Sequence, residues 1–219
     1  IFVNTLTLAD YIIASVGDNS YFTRLSNWNE SSSEKVMIEY SQPNTHKSFH
    51  VGHMRNVALG DSVGRLYKYC GHPTTMVNYI GDEGAHIAKC LWYIQKNNLS
   101  PAEGADKGEW LGEMYAAASL KISDASEEEG KQIYAEVSKV LSEIEAKAGA
   151  SYDLWLKTRP WSLDDFKEIY EWTSADFDHW FYESEVSEES QEIVDEYLKK
   201  GVFVEDDGAI GIDLKDKKA

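Results

Sequence analysis

The 219-residue chain lacks any apolar run long enough to span a bilayer, and that argues against a membrane segment. It also lacks a basic region ahead of the apolar Tyr11–Ile12–Ile13, and it has no secretory cleavage pattern; a soluble, cytoplasmic protein is the default expectation. Cysteine is scarce. Cys70 and Cys90 form no CxxC pair, and no histidines sit at metal-ligand spacing from them, so two structural thiols are expected in place of a disulfide or zinc site, and no protein-bound metal. Positive charge is short as well: 21 Lys and Arg stand against 38 Asp and Glu, a formal net charge of −17. Such a field repels polyanions, so charge alone argues against nucleic acid as the partner of these residues. No internal repeat is visible. What is present is 42% hydrophobic and 12% aromatic residues, ample for a packed core.

Along the chain, Ile1–Phe2–Val3 reads as a strand end, Leu6 to Val16 as a short helix stopped at Gly17, and Asn27 to Ser33 (NWNESSS) as a polar linker. A βαβ rhythm follows. Val36 to Tyr40 is a short strand, Ser41 to Phe49 a loop broken by Pro43, and Val51 to about Tyr69 an amphipathic helix with Gly71 at its end. Thr74 to Ile80 reads as a second strand, and Asp82 to Asn97 as a helix with Asp82 as its N-cap. Strand, crossover helix and strand imply parallel pairing. Beyond Asn98 the chain is acidic and reads as helical, with helices near 108–121, 126–147, 162–183 and 187–200, the last ended by Gly201. Five of the seven tryptophans fall in this stretch, which suggests a solvated acidic face over a tryptophan-rich core. Val202 to Leu214, with the turn Asp206–Asp207–Gly208, looks like a β-hairpin. The expected fold is α/β, a parallel sheet with a large helical insertion, with divisions at 1–35, 36–98 (nucleotide-binding βαβ), 99–200 (helical insertion) and 201–219 (hairpin and return).

The chemistry concentrates in the loop and first helical turn after the first strand. A loop that leaves a parallel strand and opens a helix gathers backbone N–H groups and the positive helix end at one spot, which favours phosphate. His50 and His53 are three residues apart on one face of that turn, Gly52 between them lets a ligand approach the backbone, and Lys47 adds a point charge just upstream. Ligands of open α/β sheets bind beyond the carboxyl ends of the strands, where Ser41 to Asn44 lie. An isolated HxGH is weak evidence, since paired helical histidines are commonly surface or core residues; the strand before and the strand after are what strengthen it.

His50-Val51-Gly52-His53 resembles the HIGH motif of class I aminoacyl-tRNA synthetases. The surrounding Ile38-Glu39-Tyr40-Ser41-Gln42-Pro43-Asn44, Lys47 to Arg55 and Asn78-Tyr79-Ile80-Gly81-Asp82-Glu83-Gly84 resemble the arginyl-tRNA synthetases in particular. Phe177-Asp178 and Glu183-Ser184-Glu185 fit the helical insertion of that family. The resemblance covers about residues 36–215, and it implies that the sheet is the first half of a Rossmann-like fold and that residues 1–35 are the end of an N-terminal add-on domain and a linker. It implies activation of L-arginine with ATP, carried with Mg2+ as the substrate complex, and transfer of the arginyl group to tRNA(Arg). It further implies that His50, Gly52 and His53 hold ATP, that Lys47 substitutes for a lysine of the family's KMSKS loop, and that Glu39, Ser41 and Asn44 contact arginine. Gly81, Asp82 and Glu83 are implied as site neighbours, although many family members have Trp where this chain has Glu83, and Asp82 has the alternative role of helix cap. His86 on the same helix is expected to be packed or exposed and not catalytic.

No KMSKS-like loop follows residue 100. The resemblance would continue past Lys215–Ala219 into a second half of the nucleotide fold and an anticodon-binding region. The expectation is therefore a monomeric fragment, inactive alone, whose unpaired sheet edge could take a partner chain. Two other readings stand beside it: a truncated, non-catalytic nucleotide-binding homologue, and another HIGH-superfamily enzyme such as a nucleotidyltransferase or a cysteinyl enzyme. The long helical stretch and the absence of a zinc ligand set count against the last two.

Overall fold

The computed structural model describes residues 4–18, 20–23, 34–206 and 209–212. The apolar Ile1–Val3, the linker 27–33, the turn residues Asp207 and Gly208 and the final Lys215–Ala219 lie outside these. Helix α1 (Thr5–Gly17) is capped by the Asn4 side chain, which accepts from the backbone N–H groups of Leu6 and Thr7, and the short α2 (Ser20–Thr23) follows.

Strands β1 (Val36–Glu39) and β2 (Thr74–Ile80) pair in parallel, Val36 against Thr74 through Glu39 against Val77, with helix α3 (Val51–Tyr69) between them. The predicted βαβ unit is thus in place. Helix α3 lies close on the sheet because two of its residues have no side chain: a Cβ at Gly60 would come 2.2 Å from the Tyr40 ring, and one at Gly64 2.2 Å from the Met76 sulfur. Helix α4 (Ala85–Lys96) opens at Gly84, with no side-chain cap. Asp82 is therefore not the N-cap expected of it; its carboxylate is committed elsewhere, as described below.

Helices α5 (Lys107–Ser123), α6 (Glu127–Glu145) and α7 (Ala150–Thr173) pack with α4 around one apolar cluster that includes Leu91, Leu111, Ile133, Ile144 and Trp155. Asp106 and Ser126 cap α5 and α6 with side-chain hydrogen bonds. Helix α7 is long enough to serve two cores. Its N-terminal half supplies Trp155 to this cluster, and its C-terminal half supplies Leu163, Phe166 and Tyr170 to a second cluster with Tyr40, Val57, Met76 and Ile80 under the sheet.

The helix expected over 162–183 is corrected. Helix α7 ends at Thr173 with Ser174 left-handed at φ 55°, and His179–Tyr182 forms β3, parallel to Val77–Ile80 of β2. The backbone N–H of Asp178 donates to the Met76 carbonyl, and the Asp178 carboxylate accepts from the Met76 N–H at 2.7 Å, so the sheet recruits an aromatic run with strand preference. Sheet order is β1-β2-β3. Helix α8 (Glu183–Lys199) begins where β3 stops, and β4 (Val204–Asp206) pairs antiparallel with β5 (Ala209–Gly211). Among the described residues no helix is long and apolar enough to cross a membrane, and both cysteines are free, Cys70 exposed and Cys90 buried with its thiol pushed up to about 12 by burial.

Candidate active site

The loop that leaves the carboxyl end of β1 and leads into α3 is under strain. Ser41, Gln42 and His46 adopt positive φ of 73°, 55° and 58°, conformations that cost non-glycine residues roughly 1 kcal/mol or more each. Buried polar contacts hold them there. The Ser41 hydroxyl lies 2.7 Å from the Tyr170 hydroxyl, which also accepts from the Asn78 amide at 3.0 Å, and the Asn78 side-chain oxygen accepts from the Gln42 N–H. Farther along, the His46 N–H donates to Ser162, and its ring lies between the hydroxyls of Thr45 and Thr158. Tyr170, Ser162 and Thr158 all belong to α7, so the helical region fixes the loop. The loop continues the sheet by one step, since Asn44 bridges to Gly81 and the Thr45 N–H donates to the Gly81 carbonyl.

At the far end of the loop, His50 is the N-cap of α3 and His53 its third residue. The His50 Nδ1 accepts from the Gly52 N–H at 3.1 Å, and the His53 Nδ1 accepts from the His50 N–H at 3.3 Å. This is a capping box made of two imidazoles. The rings stack with centroids 3.9 Å apart, while Phe49 packs beside His53 and against Phe166 and Tyr170 of α7. An imidazole whose Nδ1 accepts carries its proton on Nε2 and is neutral. Burial, with the neighbouring His50 and Lys47, lowers His53 to about 4, which agrees with a neutral ring at pH 7. The pair therefore presents two Nε2–H donors beside the helix N-terminus. Gly52 belongs to the same turn, and a Cβ there would meet the His50 ring at 2.8 Å. The Lys47 ammonium lies over the Tyr115 ring, 5.4 Å from its centroid.

The remaining predicted residues line the strand ends. Glu39 is exposed at the end of β1 and accepts from the Gln42 amide. Asn44 is half-buried with its side-chain oxygen where a Cβ at Gly81 would stand, 2.1 Å away, and Glu183 Oε2 is the next neighbour of that point at 3.6 Å. Ser41 is fully buried, its hydroxyl spent on Tyr170. Asp82 is fully buried as well, accepting from Arg159 Nε at 2.6 Å and from the N–H and hydroxyl of Ser184 at 2.8 Å each. Glu83 is nearly buried, and its carboxyl is raised above the usual range, first by burial. Glu183 is raised by burial and by the charge of Asp82. His86 is half-buried, with its Nε2 shielded from solvent and unpaired among the described residues.

Sequence reasoning did not single out Glu183, Tyr170 or Arg159 as site residues. Glu183 had a signal, since it lies in the Glu183-Ser184-Glu185 run, but a helix expected through residue 183 hid the strand that delivers it to the sheet. Tyr170 reaches Ser41 of the loop from 129 residues away in sequence and Arg159 reaches Asp82 from 77, separations that no local pattern encodes.

Residues 22–218 match a family described as tRNA synthetases class I (R), catalytic domain. A protein of Bdellovibrio bacteriovorus named arginine–tRNA ligase is 42% identical over 97% of this chain and 36% of its own length. One of the same name from Borrelia garinii is 38% identical over 85% of the chain and 32% of its length. The chain thus spans about a third of the length of the curated relatives it matches. Among solved structures, the arginyl-tRNA synthetases of Plasmodium falciparum and Thermus thermophilus superpose with a TM-score of 0.62, at 20% and 21% identity, over 87% and 85% of this chain. These two share its fold.

Proposed function

Since the chain belongs to the family of class I (R) tRNA synthetase catalytic domains, we propose that it carries the amino-acid-activating site of an arginine–tRNA ligase. In this reading an oxygen of the arginine carboxylate attacks the α-phosphorus of ATP. The bond to the bridging oxygen breaks, pyrophosphate departs, and the arginyl group later passes to the terminal ribose of tRNA(Arg) in the whole protein. Mg2+ arrives as part of the nucleotide substrate.

The observation that carries the proposal is the imidazole capping box. The two Nδ1 atoms are used internally, so both Nε2–H groups are fixed donors at a helix N-terminus, the arrangement suited to charge developing on departing phosphate oxygens. Lys47, on the same loop, supplies the full positive charge. Gly52 admits the nucleotide to the backbone. Glu39 and Asn44, with the Ser41 backbone and the adjoining Glu183, offer the acceptors a cationic amino acid requires; Gly81 makes room for Asn44, and Glu83 is near enough for the charge of Glu183 to raise it further. Residues 36–98 form the nucleotide-binding unit in this reading, and the helices after Asn98 buttress it until β3 rejoins the sheet.

The test separates the capping role of His50 from its donor role. His50→Ser keeps a good N-cap but removes the outward N–H. Thermal stability should stay close to wild type, while arginine-dependent ATP–pyrophosphate exchange in the intact protein falls about 100-fold. Exchange within twofold of wild type would remove the assigned role, and wild-type exchange that ignores arginine would end the reading as a whole.

A further inference from the structure

Glu183 stands between two residues that are both tied to one ion pair, that of the half-buried Arg159 with the buried Asp82. On its N-terminal side, the Tyr182 ring lies under the Arg159 guanidinium, 4.3 Å from centroid to carbon. On its C-terminal side, Ser184 donates its backbone N–H and its hydroxyl to Asp82, the carboxylate that Arg159 engages through Nε. Trp155 completes the brace, its indole N–H donating to the Asp82 carbonyl at 2.7 Å and its ring lying 5.3 Å from the same guanidinium. Arg159 comes from the middle of α7, Asp82 from just past β2, and residues 182–184 from the β3–α8 junction, so three elements meet at one charge pair.

We propose that Arg159 is a positioning residue, which through Asp82 and Tyr182 sets the Glu183 carboxylate beside Asn44 and so determines recognition of the cationic amino acid. The proposal rests on the reading given above. Its physical basis is that a carboxylate at a helix start is aimed by its backbone, and both flanking residues of Glu183 are immobilised by the same pair. Arg159 suits the task better than lysine because one planar group stacks on a ring while bonding a carboxylate in its own plane. Asp82, with no exposed surface, reaches the ligand only through this chain of contacts.

Two measurements test it with Arg159→Lys, Arg159→Met and Ser184→Ala. On this chain, 13C NMR of the side-chain carboxylates should show the Glu183 resonance and its titration midpoint displaced in Arg159→Met and partly restored in Arg159→Lys, with Glu127 and Glu143 on α6 unmoved. A Glu183 signal in Arg159→Met superimposable on wild type overturns the proposal. In the intact protein, pyrophosphate exchange should show KM for arginine raised about ten- to a hundredfold in Arg159→Met, with KM for ATP changed less than about twofold, and a roughly threefold rise in Ser184→Ala. Equal rises for both substrates, or none, overturn it. If Arg159→Met does not fold, Arg159→Lys and Ser184→Ala decide by the same criteria. Wild-type exchange that does not respond to arginine would defeat the arginine–ligase reading, and the carboxylate displacement alone would then decide on Arg159.

Discussion

The helical region α4–α7 and the strand-end loop 41–50 are held by opposite means. The helices surround an apolar cluster in which Leu91, Leu111 and Ile144 have no exposed surface, and their ion pairs, such as Lys96–Glu136, lie at the rim. The loop has left-handed residues at three non-glycine positions and is pinned by buried hydroxyl, amide and imidazole groups. Burial of apolar area is non-directional and tolerates small displacements, whereas hydrogen bonds among buried groups require each partner in place. A region of the first kind supplies stability; one of the second kind holds a geometry. Helix α7 belongs to both, through Trp155 at one end and Tyr170 at the other, so the stable region directly enforces the strained one.

Leu91→Ala gives the largest expected effect and the simplest way to break this comparison. The side chain is fully buried in the helical cluster, and its truncation should cost about 2–5 kcal/mol, read as a lower urea midpoint. Ligand affinity of the folded fraction should not change. A mutant with normal stability but lost affinity would show that the two regions do not divide the labour in this way.

Much of the helical region was legible because apolar periodicity is a local property. Helices expected at 108–121 and 126–147 occur at Lys107–Ser123 and Glu127–Glu145. The βαβ unit was legible for the same reason, reinforced by Pro43 and the HxGH turn. The first half of α7 was not, since it runs through Pro160. An internal proline costs about 3 kcal/mol, and burial of Trp155 and Phe166 on either side of it offsets that loss. β3 was missed because its stability lies in pairing with β2, a long-range contact. At the site, residue types and spacing announced the histidine pair, but the hydrogen bonds that settle their tautomers, and the committed state of Asp82, follow from neighbours brought by the fold.

Acid sharpens the contrast. His46 is lowered to about 3, chiefly by complete burial, and His53 to about 4, against 6.5 for the free side chain. As pH falls below 6.5, the unfolded chain takes up protons that the folded loop refuses, so stability is lost from 6.5 down to these values and is fully present only above 6.5. The helical region behaves differently. Glu129, Glu136 and Glu143 sit below 4.5, held first by hydrogen bonds to Lys121, Lys96 and Ser151 respectively, so their contribution is present above 4.5 and lost as pH drops below it. Glu83 and Glu183 are raised and act in the opposite sense, favouring the folded state as they protonate first. The difference between wild type and His46→Gln isolates the loop. Urea midpoints between pH 6.5 and 4.5 should fall less steeply in the variant, and parallel slopes would show that His46 is not held neutral by the fold.

The smallest predicted effect probes the network most directly. Tyr170→Phe keeps the ring against Phe49, Phe177 and Trp180 and removes a single oxygen. That oxygen accepts from the Asn78 amide and pairs with the Ser41 hydroxyl, so two groups with no exposed surface lose a partner while no cavity of consequence opens. The cost should be about 1–2 kcal/mol, less than that of Leu91→Ala. Its location should differ too. Amide hydrogen exchange should quicken at Gln42 and Thr45, whose N–H groups bond to the Asn78 oxygen and the Gly81 carbonyl, and stay unchanged in α5 and α6. If exchange instead quickened evenly through both regions, the loop would be stabilised by the global packing of α7 and not by its own polar contacts, and the distinction between an apolar support and a polar template would fail.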